Sequence, residues 1–188
     1  MSKLIRSMTS TARRALVATG IASTALMAAL PAHAQVNLKP YLQCRATELV
    51  NFPGTIVDAA IATPELSTLT SLVVAANLTG PLSGKGPLTV FAPTNAAFAK
   101  VPGPLLSLIG SDNALLTSVL TYYVVDGHVD PRKPLTPSQV KTLQGQTVFV
   151  GYDKDGASVN QSVAACKGVQ TTNGTVWLVD SVLLPQFK

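Results

Sequence analysis

The chain is poor in charged and aromatic residues, and these shortages exclude whole classes of protein. Of its 188 residues, 12% are charged and 5% aromatic, whereas 47% are hydrophobic. An intrinsically disordered chain has the opposite balance, with high charge and low hydrophobicity, so the composition predicts a folded protein. The length allows one ordinary domain.

A basic patch is also missing from most of the chain, although the net charge is +5. The first 34 residues contain four basic residues and no acidic one, which leaves ten basic residues against nine acidic ones in the remainder. A nucleic-acid-binding domain needs clustered positive charge on its folded surface. The charge distribution therefore predicts no nucleic-acid partner.

Histidine is nearly absent, which limits the chemistry that the chain can perform. Beyond residue 34 the only histidine is His128, and no G-x-S-x-G motif accompanies it. Asp153, Asp155 and Gly156 resemble the start of a calcium loop, but the glycine position and the missing closing glutamate favour a β-turn. We expect no enzymatic activity, no catalytic residues, no cofactor and no metal site.

The N-terminal segment, residues 1–34, has the pattern of a secretory signal peptide. Its basic residues precede an apolar run at Ala15–Leu30, and Pro31 and the A-x-A sequence Ala32–Ala34 follow. The alternative is an uncleaved membrane anchor, but this run is shorter than the roughly 20 residues that span a bilayer. No later segment is long and apolar enough for a span. The segment predicts a secreted, periplasmic or cell-surface protein without a stable membrane span after cleavage.

Only two cysteines are present, Cys44 and Cys166. Outside the cytoplasm an even number of cysteines usually indicates a disulfide, and neither cysteine has the spacing of a metal or redox motif. A bridge between them would close a loop of about 120 residues and stabilise the fold by roughly 4–5 kcal/mol. The alternative is a pair of separate buried thiols.

The pattern beyond residue 34 predicts an N-terminal extension at 35–53 and one α+β domain at 54–188, with helices first and strands last. The predicted helices are Leu42–Val50, one that starts at the capping box Thr55–Asp58 and ends near Thr63, Glu65–Ala76, Leu105–Ile109 and Asn113–Thr121. The predicted strands are Leu88–Pro93, Tyr122–Val125, Lys141–Leu143, Thr147–Tyr152, Ala157–Asn160, Val163–Thr171 and Thr175–Leu184.

Two blocks of sequence resemble the fasciclin domain family. TVFAPTNAAF at Thr89–Phe98 is similar to the first signature block of the family, and VWLVDSVLLP at Val176–Pro185 is similar to the second. TIVDAAI at Thr55–Ile61 resembles its opening helix, and LTYYVVDG at Leu120–Gly127 occupies the place of its Tyr-His pair. The resemblance implies a wedge of two β-sheets with helices packed against one side.

The residues that match the family blocks also have a structural interpretation. Phe91 and Phe98 are expected to fill the core, Thr94 and Asn95 to satisfy backbone groups where a strand becomes a helix, and Asp180 to accept hydrogen bonds as a structural carboxylate. The full set of structural motif residues is Thr89, Val90, Phe91, Pro93, Thr94, Asn95, Phe98, Tyr122, Tyr123 and Asp180.

Two departures from the family pattern bear on its partners. The Tyr-His pair is Tyr122-Tyr123 in this chain, so the histidine is missing. In animal matrix members, integrin recognition is attributed to that pair and to an Asp-Ile motif, whose positions fall on Gly168 and Val169 here. Integrin binding is therefore not carried over to this chain.

The resemblance and the signal peptide together imply a secreted or surface-associated interaction module in adhesion or in cell-envelope or matrix organisation. Its partner would be an unknown protein or a cell-surface or matrix component. The alternative is a carrier of an apolar small molecule such as a carotenoid, with Leu105, Leu106, Leu108 and Ile109 as candidate groove residues. A third possibility is a structural envelope protein with no specific partner.

Overall fold

The computed structural model describes residues 38–134 and 136–187. The signal peptide predicted at residues 1–34 lies outside the described residues. The described helices are α1 (Leu38–Ala46), α2 (Ile56–Ile61), α3 (Ser67–Ala75), α4 (Thr79–Ser83), α5 (Asn95–Ala99), α6 (Gly103–Ser111) and α7 (Asn113–Tyr122), with a 3₁₀ turn at Pro64–Leu66. The described strands are β1 (Val50–Asn51), β2 (Leu88–Pro93), β3 (Val124–Asp126), β4 (Ser138–Lys141), β5 (Thr147–Asp153), β6 (Gly156–Val159), β7 (Ser162–Val163), β8 (Val169–Gln170) and β9 (Gly174–Val179).

Helix α2 begins at the capping box that the sequence predicts. The Asp58 backbone N–H donates to Thr55 Oγ1 at 3.3 Å, and the Thr55 backbone N–H donates to Asp58 Oδ2 at 2.8 Å. Helix α7 begins in a similar way, because Asp112 Oδ1 accepts the backbone N–H groups of Ala114 and Leu115. These caps satisfy helix-end donors that would otherwise lack a partner, so both helices start where the local sequence dictates.

The first sheet has the strand order β1-β8-β9-β2-β3, and the two fasciclin-like blocks form its centre. Strand β2 pairs in parallel with β9, in a register that sets Leu88 opposite Gly174 and Phe91 opposite Trp177. All six residues of β2 are buried, as expected for a strand covered on both faces. The two blocks are therefore neighbours in the fold although nearly half the chain separates them.

The second sheet is an antiparallel meander in the order β4-β5-β6-β7. Its inner face contributes Val148, Val150 and Val159 to the same hydrophobic core as the first sheet, and each of these is fully buried. Helices α2, α5 and α7 contact the first sheet, whereas α1 contacts β6. This arrangement confirms the α+β class and the expected wedge of two sheets with packed helices.

The predicted strand Val163–Thr171 is wrong as a single element. Its start forms β7 in the second sheet and its end forms β8 in the first sheet. Between them lies Cys166, which is bonded to Cys44. The period-2 pattern is real at each end, but it cannot show that the chain changes sheets in the middle.

Three other predicted boundaries also shift. Tyr122, predicted to begin a strand, is the last residue of α7, and the first helix lies at Leu38–Ala46 rather than Leu42–Val50. The strand predicted at Thr175–Leu184 ends at Val179. At the next residue, the carboxylate of Asp180 accepts a hydrogen bond from the backbone N–H of Val163 at 2.9 Å.

A candidate ligand groove and the cluster behind it

The two cysteines form the predicted disulfide. Cys44 on α1 and Cys166 between β7 and β8 are bonded, with their Cα atoms 5.0 Å apart and a separation of 122 positions along the chain. Tyr41 on the same helix packs edge-to-face against Tyr152 of β5, with ring centroids 4.8 Å apart. Helix α1 is therefore fixed to the domain by a covalent bond and by an aromatic contact.

Arg132 has the largest number of side-chain hydrogen bonds in the described structure, and no pattern in the sequence indicated this. Its guanidinium donates to both carboxylate oxygens of Asp130, with Nε–Oδ1 and Nη2–Oδ2 distances of 2.9 and 2.8 Å. Its Nη1 atom donates to the backbone carbonyls of Cys44, Thr47 and Cys166. One side chain thus links the loop at 130–132 to both ends of the disulfide.

The guanidinium of Arg132 also lies over the indole ring of Trp177, 4.7 Å from the ring centroid. Arg132 is 5% exposed and Trp177 is 1% exposed. The indole Nε1 donates to the carbonyl of Val129 at 3.1 Å, so both aromatic and cation have their polar groups satisfied. A cation that is buried on an aromatic face and paired with a carboxylate can be accommodated in a core.

The carboxyl group of Asp130 shows how this ion pair is balanced. Burial by itself would raise the pKa of Asp130, but the hydrogen bonds from the Arg132 side chain and backbone, together with its positive charge, outweigh burial and hold that pKa below its ordinary value. Asp130 is therefore ionised in the folded protein and committed to Arg132. Its oxygens are engaged in structure.

The motif residues of the first block lie around the start of α5. Phe91 is fully buried and Phe98 is 5% exposed. Thr94 Oγ1 accepts the backbone N–H of Ala97 at 3.3 Å. Asn95 acts elsewhere than expected, because its amide accepts the backbone N–H of Thr68 and donates to the carbonyl of Pro64, at 2.9 Å each. Asn95 thus satisfies the first turn of α3 rather than that of its own helix.

The remaining motif residues have contacts of their own. In β2, Val90 and Pro93 are buried, and the hydroxyl of Thr89 donates to the Gly127 carbonyl and accepts the Val129 N–H. Asp180 is exposed, contrary to what its apolar surroundings in the sequence suggest. Burial by itself would raise the pKa of Asp180, but the hydrogen bonds from Val163 and Ser181 and the charge of Lys100 outweigh burial and hold that pKa below its ordinary value.

The two tyrosines of the 122–123 pair point to different surroundings. Tyr123 is 1% exposed, and its hydroxyl makes no hydrogen bond within the described residues. Burial raises the pKa of the Tyr123 phenol, so this hydroxyl stays protonated at neutral pH. Tyr122 instead reaches the second sheet, where its hydroxyl accepts the amide Nδ2 of Asn160 at 3.2 Å and donates to the Thr147 carbonyl.

Gly168, at the position of the family's Asp-Ile motif, has no room for a side chain. A Cβ atom there would lie 2.9 Å from the Trp177 ring and 3.0 Å from Leu49. Separations this short require the neighbouring side chains to move. An aspartate at this position is therefore incompatible with the packing of Trp177 under Arg132.

Asn173, in the turn between β8 and β9, joins three separate segments. Its Oδ1 accepts the backbone N–H of Ile56, and its Nδ2 donates to the carbonyls of Leu82 and Gly84, at 2.9 Å in each case. Asn173 is 8% exposed. The sequence predicts the Asn-Gly turn, but only the fold shows that the amide side chain holds α2 and α4 against the first sheet.

We expect Asn173→Ala to lower the free energy of unfolding by about 1–3 kcal/mol, because buried backbone groups lose their partner and water cannot replace it. Urea unfolding followed by Trp177 fluorescence measures the change. Gln161→Ala is the matched control, since Gln161 is exposed and its amide makes no hydrogen bond within the described residues; its effect should stay within about 0.5 kcal/mol. Equal midpoints for Asn173→Ala and the unmutated protein would contradict the prediction.

A groove on the outer face of the second sheet has a volume of about 1060 Å³. Thr147 and Phe149 of β5 line it together with Asn160, which follows β6. Phe149 is 48% exposed. Its backbone is fixed on both sides, because its N–H donates to Asn160 Oδ1 at 2.9 Å and its carbonyl accepts the Asn160 N–H at 2.7 Å.

The C-terminal segment forms another side of this groove through Leu184 and Gln186. Gln146 holds it in place with both ends of its amide: Nε2 donates to the Gln186 carbonyl at 2.7 Å, and Oε1 accepts the Gln186 N–H at 2.9 Å. Tyr122, Pro137 and Gln161 complete the lining. No side chain that lines the groove carries a charge, so the groove is a neutral surface with aromatic and amide groups.

The α6 residues proposed for an apolar carrier do not line this groove. Ile109 is 4% exposed and belongs to the hydrophobic core, whereas Leu108 is 58% exposed. Leu105 and Leu106 are half-buried and pack against the core. Leu105, Leu106 and Ile109 therefore lie in or against the core and Leu108 lies on the surface, whereas the open groove is elsewhere.

Neither a metal cluster nor a membrane helix is found in the described ranges. Within residues 38–134 and 136–187, no three His, Cys, Asp or Glu side chains are grouped so that they could hold a metal ion. In the same ranges, no helix combines the length and the hydrophobicity that crossing a bilayer requires.

The fold defines a two-sheet α+β domain built on a central parallel pair of distant sequence blocks. Comparison with known families agrees with this description, because the fasciclin domain family matches residues 64–185. The chain belongs to the fasciclin domain family.

Three relatives illustrate where the chain stands in the family. It is 36% identical over 187 residues to the immunogenic protein MPB70 of Mycobacterium bovis, an alignment that covers 93% of this chain and 95% of MPB70. It is 41% identical over 135 residues to the cell surface glycolipoprotein MPB83 of the same species, covering 69% of this chain and 60% of MPB83. Protein sll1483 of Synechocystis is 37% identical over 133 residues, covering 70% of this chain and 73% of that protein.

One solved structure is also similar. It is a FAS1 domain pair from the insect cell adhesion molecule fasciclin I, with a TM-score of 0.49 and 15% sequence identity. The match covers 63% of this chain and 45% of that chain, so this chain spans less than half of the domain pair.

Proposed function

We propose that this protein is an exported or surface-associated interaction module, which acts in adhesion or in cell-envelope or matrix organisation by binding rather than by catalysis. The observation that carries the proposal is the open, uncharged groove whose lining includes the half-exposed side chain of Phe149. Isolated exposed apolar residues are common, but an aromatic ring held rigidly in a concave surface is typical of a binding site.

Three further observations support this proposal. The pattern of residues 1–34 is that of an export signal. The disulfide between Cys44 and Cys166 suits an oxidising compartment, which means secreted, periplasmic or cell-surface. The relative MPB83 is described as a cell surface glycolipoprotein. The partner would be a protein or a cell-surface or matrix component presented in the same compartment.

The test is retention of the exported protein on envelope preparations from its own host. We expect saturable binding, and we expect Phe149→Ala to weaken it at least about tenfold, the loss typical of a central aromatic contact. Leu108→Ala is the matched control, because Leu108 is similarly exposed but lies on α6, outside the groove. Unsaturable binding, or equal binding by both variants, would favour a structural envelope protein without a specific partner.

A carrier of an apolar small molecule such as a carotenoid is the second candidate. The observation in its favour is that Phe149, Leu184 and Tyr122 give the groove an apolar portion. Protein purified from its host would then show an absorption band and an extra mass in native mass spectrometry. A mass equal to that of the polypeptide alone in a sample that retains envelope binding would remove this candidate.

A further inference from the structure

We infer that the groove on the outer face of the second sheet is a binding site for a neutral oligosaccharide. The inference rests on the proposed function, because it names the class of ligand that the same groove would take. It combines three properties of the groove: the lack of charge, the unused amide and hydroxyl groups, and the exposed aromatic ring.

The lack of charge excludes the ligands that depend on ion pairing. A phosphate, a sulfated glycan or an acidic peptide is normally recognised by Arg or Lys side chains, and a cationic ligand by carboxylates. None of the side chains that line the groove is Asp, Glu, Lys, Arg or His. The ligand must therefore be bound by neutral hydrogen bonds and by contact with apolar surface.

Some hydrogen-bonding groups of the groove are used in bonds within the protein, and others are unused, because they make no hydrogen bond within the described residues. The amides of Gln146 and Asn160 are used on the backbone of Gln186 and Phe149, so they hold the walls in place. The side chains of Gln161, Gln186 and Thr147 make no hydrogen bond within the described residues and line the groove.

Each of the unused groups suits a sugar. A side-chain amide has two hydrogen-bond donors and an acceptor oxygen, and a hydroxyl group is both a donor and an acceptor. A sugar hydroxyl is itself a donor and an acceptor, so an array of such groups is the natural complement of a polyol.

The ring of Phe149 supplies the apolar half of sugar recognition. A pyranose or furanose ring has a face of C–H groups with slight positive charge, and this face packs on the negative face of an aromatic ring. Strand pairing fixes the backbone beneath the ring, with Phe149 opposite Gln139 of β4 and bonded to Asn160. Pro137 lines the groove beside this strand. It packs so closely on β5 that a Cβ atom on Gly151 would lie 3.2 Å from the Cα of Pro137. A rigid platform reduces the entropy that binding costs.

A peptide and a long apolar molecule fit these observations less well. A peptide that binds by adding a strand needs a free sheet edge, but β5, which carries Phe149, is paired on both sides, with β4 and β6. An apolar molecule would cover the amides of Gln161 and Gln186 without satisfying them, and each buried unsatisfied group costs about 1–3 kcal/mol. A ligand that carries hydroxyl groups along an apolar face uses both kinds of surface.

The test is a titration of the isotope-labelled protein, recovered after export, with neutral gluco-, manno-, galacto- and arabino-oligosaccharides. Uronate-containing and sulfated oligosaccharides serve as charged comparators, and an uncharged extended peptide and a carotenoid serve as the other ligand classes. We expect saturable NMR shifts of the Thr147 and Phe149 backbone amides and of the Gln161 and Gln186 side-chain amides with at least one neutral oligosaccharide. The charged comparators should cause no such shifts.

Two substitutions at the ring separate sugar stacking from simple apolar contact. Phe149→Ala and Phe149→Leu should both weaken sugar binding at least about tenfold, whereas an apolar ligand would tolerate Phe149→Leu. Leu108→Ala should leave binding unchanged. Because Phe149 is half-exposed, both variants are expected to fold, and their thermal unfolding verifies this.

The outcomes separate this inference from the proposed function. Shifts with the peptide, the carotenoid or the charged sugars instead of the neutral ones would overturn the oligosaccharide inference, as would neutral-sugar binding that Phe149→Leu leaves intact. If no neutral sugar binds while Phe149→Ala still abolishes retention on the host envelope, the inference fails and the interaction module stands. If neutral sugars bind but Phe149→Ala leaves retention on the host envelope unchanged, the proposed function fails instead.

Discussion

Replacing Arg132 by Leu is expected to remove about 3–5 kcal/mol from the free energy of unfolding. The substitution leaves the carboxylate of Asp130 without its partner and leaves the carbonyls of Cys44, Thr47 and Cys166 without their donor. It also removes the cation from the face of Trp177. Because small domains are stable by only about 5–15 kcal/mol, a loss of this size moves the urea midpoint far toward zero.

The matched control breaks an ion pair of a different kind. Lys100 and Asp180 form an exposed pair, with 3.5 Å between Nζ and Oδ2 and side chains that are 59% and 50% exposed. Lys100→Leu should therefore cost less than about 1 kcal/mol. Similar midpoints for Arg132→Leu and Lys100→Leu would show that the buried pair is not a major contributor to stability.

The dependence of the free energy of unfolding on pH, below neutral pH, also tests the Asp130–Arg132 pair. The pKa of Asp130 is lowered in the fold, so its contribution to stability is fully present above the unfolded pKa of about 3.9 and is lost as the pH falls through the lower folded pKa.

Adding Asp130→Asn to Arg132→Leu should recover part of the lost stability at neutral pH, because the unpaired charge is gone. If the double variant is less stable than Arg132→Leu alone, the two residues are not coupled as the structure indicates.

Removing the disulfide with the double substitution Cys44→Ala and Cys166→Ala is expected to cost about 2–5 kcal/mol. The bond closes a loop of 122 residues, and in the chain-entropy model a loop of this length restricts the unfolded chain strongly. Alanine suits this experiment because Cys44 is 4% exposed, and a hydroxyl there would add an unsatisfied polar group. Urea unfolding with and without reductant measures the effect.

The reductant itself supplies the control for this experiment. It should lower the midpoint of the unmutated protein to about that of the double variant and leave the variant unchanged. The carbonyls of Cys44 and Cys166 stay available to Arg132 in the variant, so the loss reports the covalent bond rather than that hydrogen-bond cluster. A variant as stable as the oxidised protein would contradict the prediction.

The parts of the fold that the sequence predicts well are the ones that depend on neighbours in the chain. The capping box at Thr55–Asp58, the strand Leu88–Pro93 and the turn that ends at Gly156 are all found where local patterns place them. In each case the partners of a residue lie within a few positions of it. Val163–Thr171 fails for the opposite reason, because its two ends pair with strands of different sheets, β6 and β9, and the local sequence does not show these partners.

The groove was beyond prediction because its sides come from separate regions. Phe149 and Asn160 lie on adjacent strands of the meander, and Gln186 arrives from the C-terminus, held by Gln146 across forty residues of chain. The available signal was the alternation Thr147-Val148-Phe149-Val150, in which an aromatic residue shares the face of a threonine. Alternation shows that the strand has two faces but does not show which one meets the core.

By itself, the sequence determined the class of this protein: an α+β domain with fasciclin-type blocks and one pair of cysteines suited to a bridge. Composition, periodicity and local capping carry that information because they act over short stretches of chain. The tertiary structure alone decided that Arg132 is buried among carbonyls from distant segments and that Phe149 faces an uncharged groove. Both depend on contacts across tens of residues, and such contacts exist only once the two sheets have packed.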